Sequence, residues 1–266
     1  MTRTTGLVVL VVAGVVGMTG CSVNLGSAEH LSHQMTTFGT DEYREAGSLL
    51  VQLEAGDVTV EQSPGRMTVE ARVQAETRER AEQTRVLHRV NEDGRLELSV
   101  EWPGGERWEN EHCDLVVRVP RMEGVWVRTF AGDVEVEGMG GELLIETSAG
   151  DVEVERHDGS VTVVTSAGDI EISDVSGSVS AETKAGDIEL VGVHTPVTAS
   201  TSAGDIQARF AGPGRGTLMA RTAVGDVRVN GKEYEGKFAE VTLGEGSEIS
   251  RLESSVGDVR VSAPGG

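Results

Sequence analysis

The middle of the sequence repeats every 18 residues, and this period limits the possible folds more than any other feature. Four units align without a gap over residues 132–203: "GDVEVEGMGGELLIETSA", "GDVEVERHDGSVTVVTSA", "GDIEISDVSGSVSAETKA" and "GDIELVGVHTPVTASTSA". Apolar and polar residues alternate within each unit, which is the pattern of β-strands. A unit of two short strands cannot bury its own apolar side, so successive units must stack about 4.8 Å apart. We therefore predict an all-β fold, a single-chain β-solenoid of 18-residue, two-strand coils in which Val152 and Ile170 are vertical neighbours.

Each unit meets the next at an Ala-Gly-Asp step, which we interpret as the corner of the coil. Glycine adopts backbone angles that a Cβ forbids, and an aspartate side chain can bond backbone amides just after a turn. We expect alanine before the glycine because a larger side chain would collide with the copy above. The predicted structural turn residues are Gly132, Asp133, Gly150, Asp151, Gly168, Asp169, Gly186, Asp187, Gly204 and Asp205.

The row of corner aspartates raises the alternative of a calcium site, as in the glycine- and aspartate-rich β-rolls. Those rolls use a nine-residue repeat with several glycines and an aspartate in each turn, whereas here one Gly-Asp step serves 18 residues. Calcium takes six to eight oxygen ligands, which a single carboxylate per coil does not supply. The sequence favours turn chemistry, and we expect no bound metal and no cofactor.

The outward positions of the repeat predict two different surfaces. One column is acidic, lies two residues after each corner aspartate, and ends at Gln207. The opposite side carries Thr162, Ser180 and Thr198, and we expect it to be neutral and flat. The candidate binding face consists of Glu135, Glu153, Glu171 and Glu189.

The regular repeats of 132–205 continue into irregular caps on either side, giving a solenoid domain over 41–266. The stretch from Ser48 follows the same template. Residues 77–84, rich in Ala, Glu and Arg, predict a short helix that covers one end or side of the coil. The irregular "NGKEYEGKFAEVTLGEG" is typical of the atypical terminal coil that closes a repeat protein.

The chain begins with a secretory pattern. Arg3 precedes an uncharged, mostly apolar run over 6–18, and these 13 residues are too few for the roughly 20 that span a bilayer. The following Met-Thr-Gly-Cys resembles a bacterial lipobox, which implies a signal peptide over 1–20 and a diacylated Cys21; an ordinary signal peptide is the alternative. Two or more acyl chains anchor a protein stably, so membrane lipid is an expected partner. Residues 21–40 show no sustained period and predict a flexible tether.

Charge and cysteine content exclude some classes of function. The formal net charge is −21 with no basic cluster in the body of the chain, so nucleic acid is not an expected partner. Cys113 is the one cysteine left beside Cys21, so no intramolecular disulfide supports the fold. Its place at the start of an alternating strand predicts a buried structural thiol.

Three stretches resemble the bacterial DUF4097 family: "VVRVPRMEGVWVRTFAGDVEV", the repeated T-x-A-G-D-[VI]-x-[VI] units and the closing "GEGSEISRLESSVGDVRV". The resemblance covers residues 48–266. It implies a β-helical, extracytoplasmic, non-enzymatic domain with an adhesin-like role, and it transfers no catalytic residues.

Three functions remain open. The first is a lipid-anchored envelope protein, in the outer membrane if the cell has two membranes, that adheres, binds or scaffolds through a solenoid face; its partner would be an envelope protein, peptide or glycan. The second is an envelope-stress sensor that binds cationic peptides through the acidic face. The third is a β-helical enzyme acting on polysaccharide, which needs aromatic platforms and paired carboxylates in a cleft. Trp102, Trp108 and Trp126 all precede the regular repeat, so we expect no enzyme.

Overall fold

A computed structural model of the protein describes residues 32–40, 46–194, 196–212 and 214–264, with the backbone alone for 32–40. The predicted signal peptide and Cys21 lie outside these residues. The described chain forms a 12-stranded sheet, called sheet 1, and an 11-stranded sheet, called sheet 2.

The strands in chain order are β1 (Ser32–Thr40), β2 (Ser48–Gln52), β3 (Val58–Gln62), β4 (Met67–Ala75), β5 (Arg85–Val90), β6 (Arg95–Glu101), β7 (His112–Val119), β8 (Gly124–Arg128), β9 (Val134–Glu137), β10 (Gly140–Glu146), β11 (Val152–Glu155), β12 (Asp158–Val164), β13 (Ile170–Ser173), β14 (Val179–Ala185), β15 (Ile188–Val193), β16 (Val197–Ala203), β17 (Ile206–Phe210), β18 (Gly216–Val224), β19 (Val227–Val229), β20 (Lys232–Tyr234), β21 (Phe238–Gly244), β22 (Ile249–Val256) and β23 (Val259–Ser262). One helix, α1 (Arg78–Gln83), and one 3-10 turn (Pro103–Gly105) are also present in the described residues.

The central coils stack as the 18-residue period predicts. Each coil gives one strand to each sheet, and neighbouring strands are parallel and in register, with Val152 paired to both Val134 and Ile170. Alternate side chains point between the sheets and form a thin core of Val, Ile, Leu and Ala, in which Ile145 and Ile172 are fully buried. The prediction of an all-β solenoid is confirmed.

The two ends of the solenoid depart from sequential stacking. The coil of β2 and β3 lies between the coil of β6 and β7 and the coil of β8 and β9. At the other end, β22 lies between β16 and β18, and β23 lies between β17 and β19. The coils that come first and last in the sequence, β2 with β3 and β22 with β23, therefore lie inside the stack with a neighbour on each side. They are called the inserted coils below.

Antiparallel strands close both ends of the stack. At the N-terminal end β4 pairs with β7 and β5 pairs with β6; at the C-terminal end β21 pairs with β18 and β20 pairs with β19. The predicted short helix is present as α1, with Thr77 as its N-cap. The Arg80 guanidinium contacts the fully buried Glu111 carboxylate at 2.6 Å and lies over the Trp108 ring.

Strand β1 differs from the tether predicted over 21–40. Its nine residues pair antiparallel with β4, from Ser32 opposite Ala75 to Thr40 opposite Met67. The difference has a physical reason: β4 would otherwise leave an unpaired edge, and such an edge orders a neighbouring segment through backbone hydrogen bonds that need no side-chain pattern. Residues 21–31 of the predicted tether lie outside the described residues.

Cys113 is buried in β7, as its sequence context predicts. Burial, with a smaller contribution from the charge of Asp114, raises the pKa of this thiol to about 12. A thiol of this kind is an inert core residue, because the reactive form of cysteine is the thiolate.

Candidate functional site

The corner aspartates form a continuous hydrogen-bonded ladder along the solenoid. In the regular repeat the backbone amide of each aspartate donates to Oδ1 of the aspartate one coil earlier, for example from Asp151 to Asp133 and from Asp169 to Asp151, both at 2.8 Å. The ladder continues through the C-terminal inserted coil, where Asp258 donates to Asp205 at 2.7 Å. The donor–acceptor pairs along the ladder are Asp57–Asp114, Asp133–Asp57, Asp151–Asp133, Asp169–Asp151, Asp187–Asp169, Asp205–Asp187, Asp258–Asp205 and Asp226–Asp258.

This ladder gives the corner carboxylates a structural task. One oxygen of each accepting carboxylate satisfies a backbone amide of the next coil, which would otherwise face solvent at a bend. Hydrogen bonds to the charged form also favour it, and the amide of Asp258, followed by Arg260, lowers the pKa of Asp205. Within the described residues, no group of three or more His, Cys, Asp or Glu side chains is arranged to hold a metal ion.

The glycine of the corner is required both by its backbone angle and by the neighbouring coil. Gly150 has a φ of +142°, and a Cβ at this position would lie 2.1 Å from the carbonyl oxygen of Gly132. The expectation that alanine precedes glycine to avoid a collision is wrong. Val256 and Val224 occupy the equivalent position in other coils and are 54% and 57% exposed, so a larger side chain fits there.

The acidic column lies where the repeat places it. Glu153 is opposite Glu135 on one side and Glu171 on the other, and Glu171 is opposite Glu189. Within the described residues no Lys or Arg forms an ion pair with Glu135, Glu153 or Glu171, whereas Glu189 accepts hydrogen bonds from Gln207 at 2.9 Å and Arg209 at 3.0 Å. The acidic face therefore contains three adjacent carboxylates without a paired cation.

Cations limit this face on two sides. In the next outward column, Arg156 pairs with both Glu137 and Glu155. Along the acidic column itself, Gln207 is followed by Arg260, which contacts Asp205 at 2.9 Å. The three glutamates that lack a paired cation among the described residues thus lie in the middle of sheet 1.

The pKa of the central glutamate, Glu153, is raised above its ordinary value. Loss of solvent around the carboxylate is the largest cause, and the charges of Glu155, Glu171 and Glu135 add to it. Carboxylates directly opposite one another in a sheet are destabilising, and salt reduces this repulsion.

We predict that Glu153→Gln raises the free energy of unfolding at pH 7 by about 0.5 kcal/mol at low salt, because it removes repulsion between neighbouring strands. Urea unfolding at about 20 mM and 500 mM salt measures this, and the gain should shrink at high salt. Glu189→Gln is the matched control, since it removes a glutamate that has an Arg209 partner and should give no gain. An equal gain in the free energy of unfolding for both variants would contradict the assignment of unfavourable repulsion to Glu153.

The opposite face is not neutral as expected. Thr162, Ser180 and Thr198 do stack in one column of sheet 2. The next outward positions, however, include Glu182, opposite Ser200, and the exposed Lys184. The three serine and threonine residues represent one column of this face, and charged residues occupy the columns beside it.

The described helices include none that is long and apolar enough to cross a membrane. The predicted lipidation site Cys21 lies outside the described residues, and its acylation stays a prediction.

Comparison with known proteins agrees with this architecture. A family described as Toastrack DUF4097 matches residues 44–262. A search among curated proteins found no match. Among solved structures, a "putative adhesin" from Bacteroides fragilis is similar with 16% identity and a TM-score of 0.50, covering 86% of this chain and 97% of that one. A "putative cell adhesion protein" from Clostridium sporogenes has 11% identity and a TM-score of 0.35, covering 88% of this chain and 100% of that one.

Proposed function

Because the chain belongs to the Toastrack DUF4097 family, we propose that it is a non-catalytic, adhesin-like binding module held outside a membrane by an acylated Cys21. The observation that carries this proposal is the hydrogen-bonded corner ladder. Because backbone amides engage the corner carboxylates, these aspartates have a structural role, and the outward faces of the two sheets are left for binding. A stack of coils with two broad outward faces is suited to contact a partner over a large area. The similar solved structure from Bacteroides fragilis, described as a putative adhesin, supports the same role.

The sequence between Cys21 and the fold supports a short attachment to the membrane. Strand β1 begins at Ser32, so ten residues, 22–31, separate the predicted lipidation site from the sheet. At full extension they span at most about 36 Å. The N-terminal end of the solenoid would therefore lie close to the membrane surface that carries the anchor.

The three tryptophan residues support a role without catalysis. Trp102 is buried in the N-terminal cap, Trp108 stacks on Arg80, and Trp126 stacks on Arg95 at 4.1 Å. Each tryptophan thus makes a structural contact, and all three precede the acidic column, which begins at Glu135. A polysaccharide-cleaving site would need such rings beside its paired carboxylates.

Cys21→Ser tests the proposal directly. Cells producing the full-length protein should incorporate labelled fatty acid into it, retain it in the membrane fraction and attach to a partner surface. The Cys21→Ser variant should lose the label and leave the membrane fraction, and cells producing it should lose the added attachment. Cys113→Ser is the matched control, since it changes the buried cysteine and should keep the label. Unlabelled wild-type protein, or equal attachment by both strains, would contradict the proposal.

A second candidate function is the capture of cationic peptides by the acidic face. It is favoured by the three adjacent carboxylates of Glu135, Glu153 and Glu171, which have no ion-pair partner in the described part of the chain. A lysine-rich peptide should bind in a salt-sensitive manner and should bind at least tenfold more weakly to Glu153→Gln/Glu171→Gln. The matched control is Glu182→Gln/Glu240→Gln, which removes the same charge from sheet 2. Equal weakening in both double variants would indicate a general charge effect and exclude this site.

A further inference from the structure

A shallow groove of about 590 Å³ lies on the outward face of sheet 2 near its C-terminal end. Strands β16, β22, β18 and β21 run side by side there. One row across these strands places four side chains in succession: Phe238 is opposite Arg221, Arg221 is opposite Glu253, and Glu253 is opposite Ser200. The groove therefore combines an aromatic ring, a guanidinium, a carboxylate and a hydroxyl on one surface.

The hydroxyl groups of this groove divide into two sets. The buried set donates to backbone carbonyls of the corners, at 3.0 Å, 2.7 Å and 2.9 Å, and consists of Thr201, Thr222 and Ser254. No hydrogen bond within the described part of the chain engages the hydroxyls of Ser200, Ser202 or Ser255. These three line the groove and are available to a ligand.

Two cations face the same groove. Arg221 lies 3.5 Å from Glu253, and with side chains 64% and 42% exposed this pair is weak. Lys237 sits in a tight turn with a φ of +61°, held by a hydrogen bond from the amide of Thr222 to its carbonyl oxygen. Its ammonium donates to the carbonyl oxygen of Ala223 at 3.0 Å, and the adjacent Phe238 is 46% exposed.

We propose that this groove binds a carboxylated sugar. A guanidinium and an ammonium recognise a carboxylate, while serine hydroxyls and the Glu253 carboxylate pair with sugar hydroxyls. The exposed Phe238 ring offers a flat apolar surface to the face of a sugar ring. The volume of the groove is within the range of ligand sites. This inference rests on the proposed function, because it names the ligand class that the adhesin-like module recognises.

The large negative charge of the protein does not prevent an anion from binding here. Most of the acidic columns lie on sheet 1, about 10 Å away through the core. Exposed charges that act on the groove through solvent are largely screened beyond about 8 Å at physiological salt. Within the groove two cations, Arg221 and Lys237, face one carboxylate, Glu253, so the local side-chain charge is positive.

The test uses the full-length protein in detergent and two probes, a tetramer of galacturonic acid and a neutral tetramer of galactose. We expect the acidic tetramer to bind at least tenfold more tightly by titration calorimetry. Arg221→Gln/Lys237→Gln should weaken the acidic tetramer at least tenfold and leave the neutral one unchanged, while Phe238→Ala should weaken both. The matched control is Arg128→Gln/Arg209→Gln, which removes two exposed cations outside the groove and should leave both affinities unchanged.

Equal affinity for the two tetramers would contradict the proposed binding site. Equal weakening of the acidic tetramer by Arg221→Gln/Lys237→Gln and by the control Arg128→Gln/Arg209→Gln would contradict it too. The result also separates this inference from the proposed function. If attachment depends on Cys21 while the acidic tetramer does not bind, the groove is wrong and the adhesin-like role stands. If the tetramer binds with the expected pattern while attachment does not depend on the protein, the groove stands and the adhesin-like role is wrong.

Discussion

Gly168→Ala is expected to lower the free energy of unfolding by about 4 kcal/mol, although it adds a single methyl group at the surface of the solenoid. The new Cβ would lie 2.1 Å from the carbonyl oxygen of Gly150, and the φ of +141° is unfavourable for alanine. Relief of either problem would move the backbone that carries the hydrogen bond from Asp169 to Asp151. Alanine also makes the unfolded chain less flexible, but this gains at most about 1 kcal/mol and cannot offset the clash.

Ala167→Val is the matched control for this prediction. It adds two methyl groups at the preceding residue, whose exposed position in the column is already valine at Val256. We expect a change within about 0.5 kcal/mol. Urea unfolding followed by circular dichroism measures both variants. A larger loss in Ala167→Val than in Gly168→Ala would show that the alanine, and not the glycine, is the restricted position.

The register of the central coils could be predicted because a fixed period determines it. With 18 residues in each coil, residue i can only be opposite residue i+18, and both Val152–Ile170 and Glu153–Glu171 follow from this spacing. The acidic column is thus visible in the sequence as well as in the structure. The corner ladder was predictable in kind, from the chemistry of aspartate, but its acceptor in the adjacent coil required the stacked geometry.

The order of the terminal coils could not be predicted in this way. The segments "AGDVTVEQ" and "VGDVRVS" follow the same template as the central units, so they identify a coil but not its place in the stack. Any coil presents the same backbone edge to a neighbour, and the order therefore depends on the connecting segments. Here the connections carry β4, β5 and β21, whose antiparallel pairing closes the ends.

The groove on sheet 2 was missed for a related reason. Arg221, Glu253 and Ser200 are far apart in the sequence and become neighbours only because β22 is inserted between β16 and β18. Lys237 and Phe238 belong to the irregular segment that the sequence identifies as a cap. A cap residue carries no periodic signal that would assign it to a face.

Truncation after Glu248 is expected to unfold residues 211–248, the part of the domain that remains beyond β17. In a sequentially stacked solenoid, loss of the last coil would expose one new edge in each sheet. Here the truncation removes β22, which pairs with β16 and β18, and β23, which pairs with β17 and β19. Four strands therefore lose a partner at once. We expect the truncated protein to aggregate or to be cleaved rapidly by protease within 211–248, while the central coils stay protected.

A point variant tests the same order in a chain of full length. Leu252 is fully buried opposite Ala199 and Ala220, so Leu252→Ala should lower the free energy of unfolding by about 3 kcal/mol, as Leu143→Ala should in the middle of the stack. Ile249→Ser, at a 46% exposed position of the same strand, is the control and should change it by less than about 0.5 kcal/mol. If Leu252→Ala lowered the free energy of unfolding by less than about 1 kcal/mol, Leu252 would not be packed in the core. That result would contradict the position of β22 between β16 and β18.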